Sequence, residues 1–137
     1  RGLILFTTTA SCTACHNGPN FTDSKFHALG LKQHGPLEED LGRFNVTKDP
    51  KDKFAFKTPG LRNIEQSGPY MHDGSLTSLE QVVDFYNKGG DIKDVRSHLI
   101  KPLGLTPSQQ TDLVNFLRSL TGPSPSVPIP SGKHYGI

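Results

Sequence analysis

The only two cysteines of the chain lie three residues apart, at Cys12 and Cys15, and His16 follows directly. Two thiols at this spacing on a tight turn can each form a thioether with one vinyl group along the same porphyrin edge. A histidine immediately after the second cysteine then lies beneath the iron. Cys-x-x-Cys-His is the attachment motif of c-type haem, and histidine is a standard proximal iron ligand. The pattern predicts one covalent haem c, bound at Cys12 and Cys15 with His16 as its proximal ligand.

Two other sites use closely spaced cysteines. A thioredoxin-like redox pair requires a preceding strand and a βαβ context, and the chain shows neither pattern. A structural zinc site requires a fourth ligand and usually a second paired motif, and no second motif is present. The sequence therefore favours haem c over a dithiol or a zinc site.

A second axial ligand for the iron has several candidates. Met71 is the only methionine of the chain, and His/Met ligation is common in cytochromes c, so the residues alone favour Met71 over a gap-filling role. Tyr86 lies on the apolar face of a predicted helix, where a core tyrosine is the simpler interpretation. His72 begins a predicted tight turn that would bring its imidazole near the haem. The other histidines are His27, His34, His98 and His134.

Periodicity and capping signals predict a small number of helices around this motif. A short helix over residues 2–8 is expected to bury Leu3, Ile4 and Phe6. Residues 17–58 are expected to be mostly loop, and a short helix is predicted over residues 60–65.

Two longer helices have clear start signals. A capping box of Thr77 and Glu80 predicts one helix that ends near residues 89–90. A second box, of Thr106 and Gln109, predicts the other, with Pro107 at its first position. Their apolar faces are expected to comprise Leu79, Val82, Val83 and Tyr86 in the first helix, and Leu113, Phe116, Leu117 and Leu120 in the second.

Composition points to one small domain with long loops. Of 137 residues, 33% are hydrophobic, and there are 14 glycines and 11 prolines. An apolar prosthetic group would supplement such a thin core. No strand pattern persists along the chain, so we expect an all-α fold: a cytochrome c-like haem domain with few helices and long loops, over residues 1–122. Residues 123–137 form a Pro/Ser-rich tail.

Charge and hydropathy exclude some classes of function. The formal charge is only +2 and no block of like charge is present, so nucleic-acid binding has little support. No apolar run approaches the ~18 residues that span a bilayer.

The chain begins at Arg1 without a signal peptide, from which we expect a processed or excised chain. Thioether attachment of bacterial haem takes place outside the cytoplasm, so a periplasmic location is expected.

Several segments together resemble the bacterial di-haem cytochrome c peroxidase family over residues 1–122. The most specific is Ser67-Gly68-Pro69-Tyr70-Met71-His72-Asp73-Gly74-Ser75-Leu76, which leads into residues 77–90. The others are residues 12–23, 26–30, 42–47 and 56–64. The match is to the C-terminal haem domain of that family. In such proteins the N-terminal haem reacts with peroxide and the C-terminal haem receives or stores electrons.

The resemblance changes the expected distal ligand. Peroxidases of this family usually have a methionine on the helix that follows the His-Asp-Gly turn. This sequence has Tyr86 at that position, a mark of the MauG-like branch, whose members oxidise protein residues. The resemblance therefore implies Tyr86 as distal ligand, with Met71 as the alternative, and His72 and Arg62 as haem-pocket residues.

The resemblance also implies partners and a second metal. The family binds calcium between its two haems, and the backbone carbonyls at Ser67 and Pro69 match ligand positions in this half; calcium favours such oxygen ligands. The implied partners are a second haem domain or chain and a redox partner protein. The expected function is thus electron transfer within a di-haem peroxidase or MauG-like oxidoreductase. The alternative is a free-standing mono-haem electron carrier without enzymatic activity.

Overall fold

The computed structural model describes residues 1–34 and 39–123. Its regular elements are α1 (Gly2–Thr7), β1 (Phe26–Ala28), α2 (Phe44–Thr47), β2 (Ala55–Lys57), α3 (Leu79–Lys88) and α4 (Pro107–Arg118). Short 3₁₀ turns form at Cys12–Ala14, Pro50–Asp52, Ile64–Gln66 and Lys93–Val95. Within these ranges no helix has the length and apolar character that crossing a membrane requires. Apart from Pro123, the predicted tail lies outside the described residues.

The hydrophobic core forms where α4 packs against both α1 and α3. Its buried side chains include Leu5, Phe6, Leu79, Val83, Leu113, Val114 and Leu117. The approach of α1 to α4 is so close that a Cβ atom at Gly2 would lie 2.0 Å from the Asp112 carbonyl oxygen. A glycine at this position therefore permits the contact between the two helices.

Helix α4 begins as the sequence predicts. Thr106 Oγ1 accepts a hydrogen bond from the Gln109 amide at 3.3 Å, and Gln109 Oε1 accepts one from the Thr106 amide at 2.9 Å. This reciprocal capping box satisfies two amides that have no partner inside the helix. The predicted apolar face is confirmed, since Leu113 and Leu117 are buried and Phe116 packs against the core.

Helix α3 begins one residue later than predicted. Its N-cap is Ser78, whose hydroxyl accepts a hydrogen bond from the Gln81 amide at 3.2 Å. The predicted box of Thr77 and Glu80 is therefore wrong, because the Glu80 carboxylate instead accepts a hydrogen bond from Arg118 Nη2 at 2.6 Å. At the other end Gly89 adopts a left-handed conformation with φ +80°, which favours glycine.

The expectation of an all-α fold is wrong. β1 and β2 form an antiparallel pair in which Phe26 lies opposite Lys57 and Ala28 lies opposite Ala55. Each strand has only three residues, too few to show the alternation by which a strand is recognised. The described residues form a small mixed domain of helices and one two-stranded sheet, and residues 17–34 and 39–58 contain β1, α2 and β2 where mostly loop was predicted.

Two local predictions near the motif also fail. Leu3 and Ile4 are 53% and 65% exposed, whereas Phe6 is buried as expected. The inward face of α1 consists instead of Gly2, Leu5 and Phe6. No α-helix forms over residues 60–65, because Asn63 has φ +57° and only the 3₁₀ turn Ile64–Gln66 follows.

Truncation of a core leucine in α4 tests this packing. Leu113 is 3% exposed, so Leu113→Ala is expected to lower the free energy of unfolding by about 2–5 kcal/mol, the cost of lost burial plus a cavity. Leu3→Ala, on the exposed face of α1, should change it by less than ~0.5 kcal/mol. Urea titrations of the two variants check this, and equal losses would contradict the assigned core.

Candidate functional site

A cavity of about 530 Å³ lies beside the Cys12–Ala14 turn. Its volume falls within the roughly 300–1,000 Å³ of small-molecule and cofactor sites. The apolar side chains of its wall include Phe6, Leu61, Leu79, Val83, Leu113 and Leu117. These residues come from α1, α3, α4 and the segment between β2 and the Ile64–Gln66 turn, so the hydrophobic core is open on this side.

The cysteine motif contributes one wall of the cavity. Cys12, Cys15 and His16 all line it, and both cysteines are free thiols. The turn is closed by hydrogen bonds from the amides of Cys15 and His16 to the Cys12 carbonyl, at 3.2 and 2.8 Å. This tight turn places the two thiols and the imidazole at the same cavity.

Burial keeps both thiols in the protonated form. It raises the pKa of Cys12 to about 12, and it also raises the pKa of Cys15, where the charge of Asp23 adds to the effect. Redox-active cysteine pairs have the opposite property, a lowered thiol pKa. The electrostatics of the site therefore argue against a thioredoxin-like dithiol.

One ring nitrogen of His16 makes a hydrogen bond that orients the imidazole. Nδ1 lies 2.9 Å from the Phe21 carbonyl oxygen. Because a carbonyl oxygen can only accept, we assign the proton to Nδ1, which leaves Nε2 with a free lone pair. Burial lowers the pKa of His16 despite the opposing effect of that hydrogen bond. The neutral imidazole is the metal-ligating form, and a carbonyl behind it fixes its orientation.

Both predicted distal ligands reach the same cavity. Tyr86 from α3 and Met71 from the preceding loop line it. Burial raises the pKa of the Tyr86 phenol. Met71 has φ +70°, an uncommon backbone conformation for a residue with a side chain.

The other predicted pocket residues also border the cavity. His72 stacks on Phe56, with ring centroids 3.6 Å apart and planes 12° apart. Arg62 Nε donates to the Pro19 carbonyl at 2.8 Å, which joins two loops. Ser67 and Pro69 lie on the exposed rim. Of the remaining histidines, His27 lines the cavity, His34 and His98 do not, and His134 lies outside the described residues.

Asp23 is a residue of the site that the sequence patterns do not predict. Its carboxylate Oδ2 lies 2.8 Å from His27 Nε2, and an oxygen of Asp23, a ring nitrogen of His27 and the Cys15 sulfur all lie within 4.8 Å of one another. The only sequence signal is an aspartate four residues before a histidine. This is the only such Cys/His/Asp/Glu group among the described residues. It does not include Cys12 or His16.

Asn87, next to Tyr86, was also missed. Its side-chain oxygen accepts from the Leu105 amide at 2.7 Å, and its amide nitrogen donates to the Leu105 carbonyl at 3.2 Å. The Leu103 amide donates to the Asn87 carbonyl at 3.1 Å. Asn87 thereby holds the loop before α4 against the end of α3, where Leu103 lines the cavity.

The Asp23–His27 pair predicts a pH-dependent contribution to stability. Burial opposes ionisation of Asp23, but hydrogen bonds from His27 and the Lys25 amide outweigh it and lower its pKa from 3.8 to about 2. A lowered carboxyl pKa stabilises the folded state above the unfolded-state pKa, and this stabilisation is lost as the pH falls through the folded-state value. Asp23→Asn should therefore lower the urea midpoint at pH 7, and the difference should shrink between pH 4 and pH 2. A difference independent of pH would contradict this account.

The chain is similar to several known proteins. No protein-family model matches the chain. It is 38% identical to cytochrome-c peroxidase IdrP1 of Denitromonas iodatirespirans, over 93% of this chain and 41% of that protein. It is 42% identical to the methylamine utilization protein MauG of Methylorubrum extorquens, over 95% of this chain and 36% of that protein. The chain thus spans about two fifths of the length of these relatives.

A solved structure has the same fold. A MauG-like protein associated with microbial copper homeostasis superimposes with a TM-score of 0.80 at 32% identity, and the match covers 88% of this chain and 42% of the other. The agreement extends over most of this chain.

Proposed function

Because the chain belongs to the family of bacterial di-haem cytochrome c peroxidases and MauG proteins, we propose that it is the C-terminal haem domain of such an oxidoreductase. In this role it relays electrons to a peroxide-activating haem in another domain or chain. The haem-containing relatives support the class of protein. That one haem reacts with peroxide while the haem of this chain relays electrons is our own extension of this class assignment.

One arrangement supports the proposal above all: Cys12, Cys15 and His16 border the same apolar cavity as Tyr86. Two protonated thiols on a tight turn can form the two thioethers of haem c. The neutral imidazole of His16, with Nδ1 engaged by Phe21, can present Nε2 to iron. The residues present therefore fit haem c, which supplies one-electron redox chemistry when bound.

The chain's own residues then have distinct tasks. Cys12 and Cys15 anchor the group covalently, and the Phe21 carbonyl orients His16 as the proximal ligand. The leucine and valine side chains of α3 and α4 exclude water from the cavity, which strengthens the electrostatic effect of neighbouring groups. His72 and Arg62 at the cavity border are proposed as haem-pocket residues that bind propionates or tune the site.

Tyr86 is the proposed distal ligand, with Met71 as the alternative. A phenolate donates more charge than a thioether, so it favours ferric iron and a lower reduction potential than methionine does. Burial raises the pKa of the Tyr86 phenol, and a metal cation in the cavity would offset that effect by favouring the phenolate. Tyr86 also belongs to the regular helix α3, whereas Met71 lies in a loop.

Three further elements of the proposal concern the surroundings of the domain. The carbonyls of Ser67 and Pro69, on the exposed rim, are proposed as part of a calcium site that needs ligands from another domain. A redox partner protein is proposed as the electron donor or substrate. The location is proposed to be periplasmic, because thioether attachment of bacterial haem takes place outside the cytoplasm.

The haem count of the native protein tests the assignment. We expect two covalent haems per complete protein, by pyridine haemochrome assay against protein concentration. The double variant Cys12→Ser/Cys15→Ser should reduce the count to one, because only this domain loses its thioethers. A wild-type count of one, with no second haem chain co-purifying, would instead indicate the free-standing mono-haem carrier.

The distal ligand is tested by electron paramagnetic resonance of the ferric protein. Tyr86→Phe should change the spectrum of this haem and raise its reduction potential, because the charge-donating phenolate is lost. Met71→Leu, a substitution of similar volume in the same cavity, is the matched control and should leave the spectrum unchanged. The reverse result would assign Met71 as the ligand.

A further inference from the structure

Asp23 is held in position by two hydrogen bonds to its carboxylate and one from its backbone amide. Oδ2 accepts a hydrogen bond from His27 Nε2 at 2.8 Å, and Oδ1 accepts one from the Lys25 amide at 2.9 Å. The Asp23 amide donates to the Cys15 carbonyl at 2.7 Å. The side chain is only 9% exposed. A carboxylate restrained in this way contributes a fixed charge.

That charge lies beside the haem attachment residue. A carboxylate oxygen of Asp23 and the Cys15 sulfur lie within 4.8 Å of each other, and Cys15 precedes the proposed ligand His16. His27, the partner of Asp23, lines the cavity itself. A group attached at Cys15 would thus have a negative charge next to its point of attachment.

Asp23 is ionised at neutral pH, because its hydrogen bonds lower its pKa to about 2 against the opposing effect of burial. The cationic side chain in contact with it, when protonated, is His27. Lys25 contacts the carboxylate through its backbone amide. This hydrogen bond does not neutralise the charge of Asp23, because the amide is uncharged.

We propose that Asp23 is a residue that tunes the haem, and that its carboxylate lowers the reduction potential of the haem attached at Cys15. The inference rests on the proposed function, in that haem must be bound at Cys12, Cys15 and His16. Ferric haem carries one more positive charge than ferrous haem. A nearby negative charge therefore stabilises the oxidised form, and the effect persists where burial limits screening by solvent. Net charge around a haem is an established determinant of its potential.

His27 has the supporting role of orienting the carboxylate. Its ring nitrogen holds Oδ2, while the short strand β1 that carries it is fixed by pairing with β2. The pairing places His27 opposite Phe56, and the Phe56 ring stacks on His72 at the cavity border. The sheet that the sequence did not predict therefore positions the charge beside the cavity.

Spectroelectrochemical titration of the haem-loaded protein at pH 7 tests the proposal. Asp23→Asn should increase the ratio of ferrous to ferric haem at a fixed potential about three- to tenfold, a rise of about 30 to 60 mV at 59 mV per tenfold for one electron. Asp49→Asn is the matched control. It makes the same change of charge at an exposed residue that caps the Pro50–Asp52 turn through the Lys51 amide and does not line the cavity.

Two further variants isolate the effect of charge. Asp23→Glu keeps the charge and should return the potential toward the wild-type value. The effect of Asp23→Asn on the reduction potential is also measured in a His27→Gln variant, which has no imidazole beside residue 23. The rise in potential should persist there, because it comes from loss of the carboxylate charge. If Asp23→Asn does not accumulate with haem, Asp23→Ser removes the charge and keeps a hydrogen-bond acceptor for the Lys25 amide.

The outcomes separate this inference from the proposed function. Wild-type protein without covalent haem would contradict both. Haem-loaded Asp23→Asn with the potential of Asp49→Asn would overturn the inference alone. A rise accompanied by altered axial-ligand spectra in both Asp23→Asn and Asp23→Ser would also overturn it, because the substitution would then act on ligation rather than on charge.

Discussion

Two thiols and one imidazole must reach the same side of one apolar cavity, and the arrangement of the rest of the domain depends on this requirement. The tight turn at Cys12–Ala14 brings the three groups together. Helix α1 anchors that turn to the core through its close approach to α4, which Gly2 permits. Helix α3 then adds Tyr86 to the cavity from the other element that packs on α4.

This arrangement also accounts for the thin hydrophobic composition. Only 33% of residues are hydrophobic, and several of the most buried, such as Phe6 and Leu113, still border the cavity. A core of this kind is incomplete without an apolar group beside it. Binding of such a group to the folded state alone would add to stability by mass action, so cofactor and fold support each other.

Electrostatics in the cavity follow one rule with one exception. Burial favours the neutral forms of Cys12, Tyr86 and His16, which suits thioether formation and imidazole ligation. Asp23 is the exception in this region, because specific hydrogen bonds keep it ionised. An apolar cavity with a restrained carboxylate beside it is a setting in which one charge has a large effect on a bound redox group.

What the sequence determined by itself is local. The Cys-x-x-Cys-His spacing predicts the haem-binding turn, and the capping box at Thr106 defines the start of α4, because each depends on residues within one turn of chain. Tertiary structure decided the rest. The three-residue strands exist only as a pair of distant segments, and Arg118 draws Glu80 away from the predicted cap of α3. The contact of Asp23 and His27 with Cys15 likewise requires the folded chain. These residues lie in a loop, a strand and a turn, and no periodic sequence pattern predicts that these three segments are in contact.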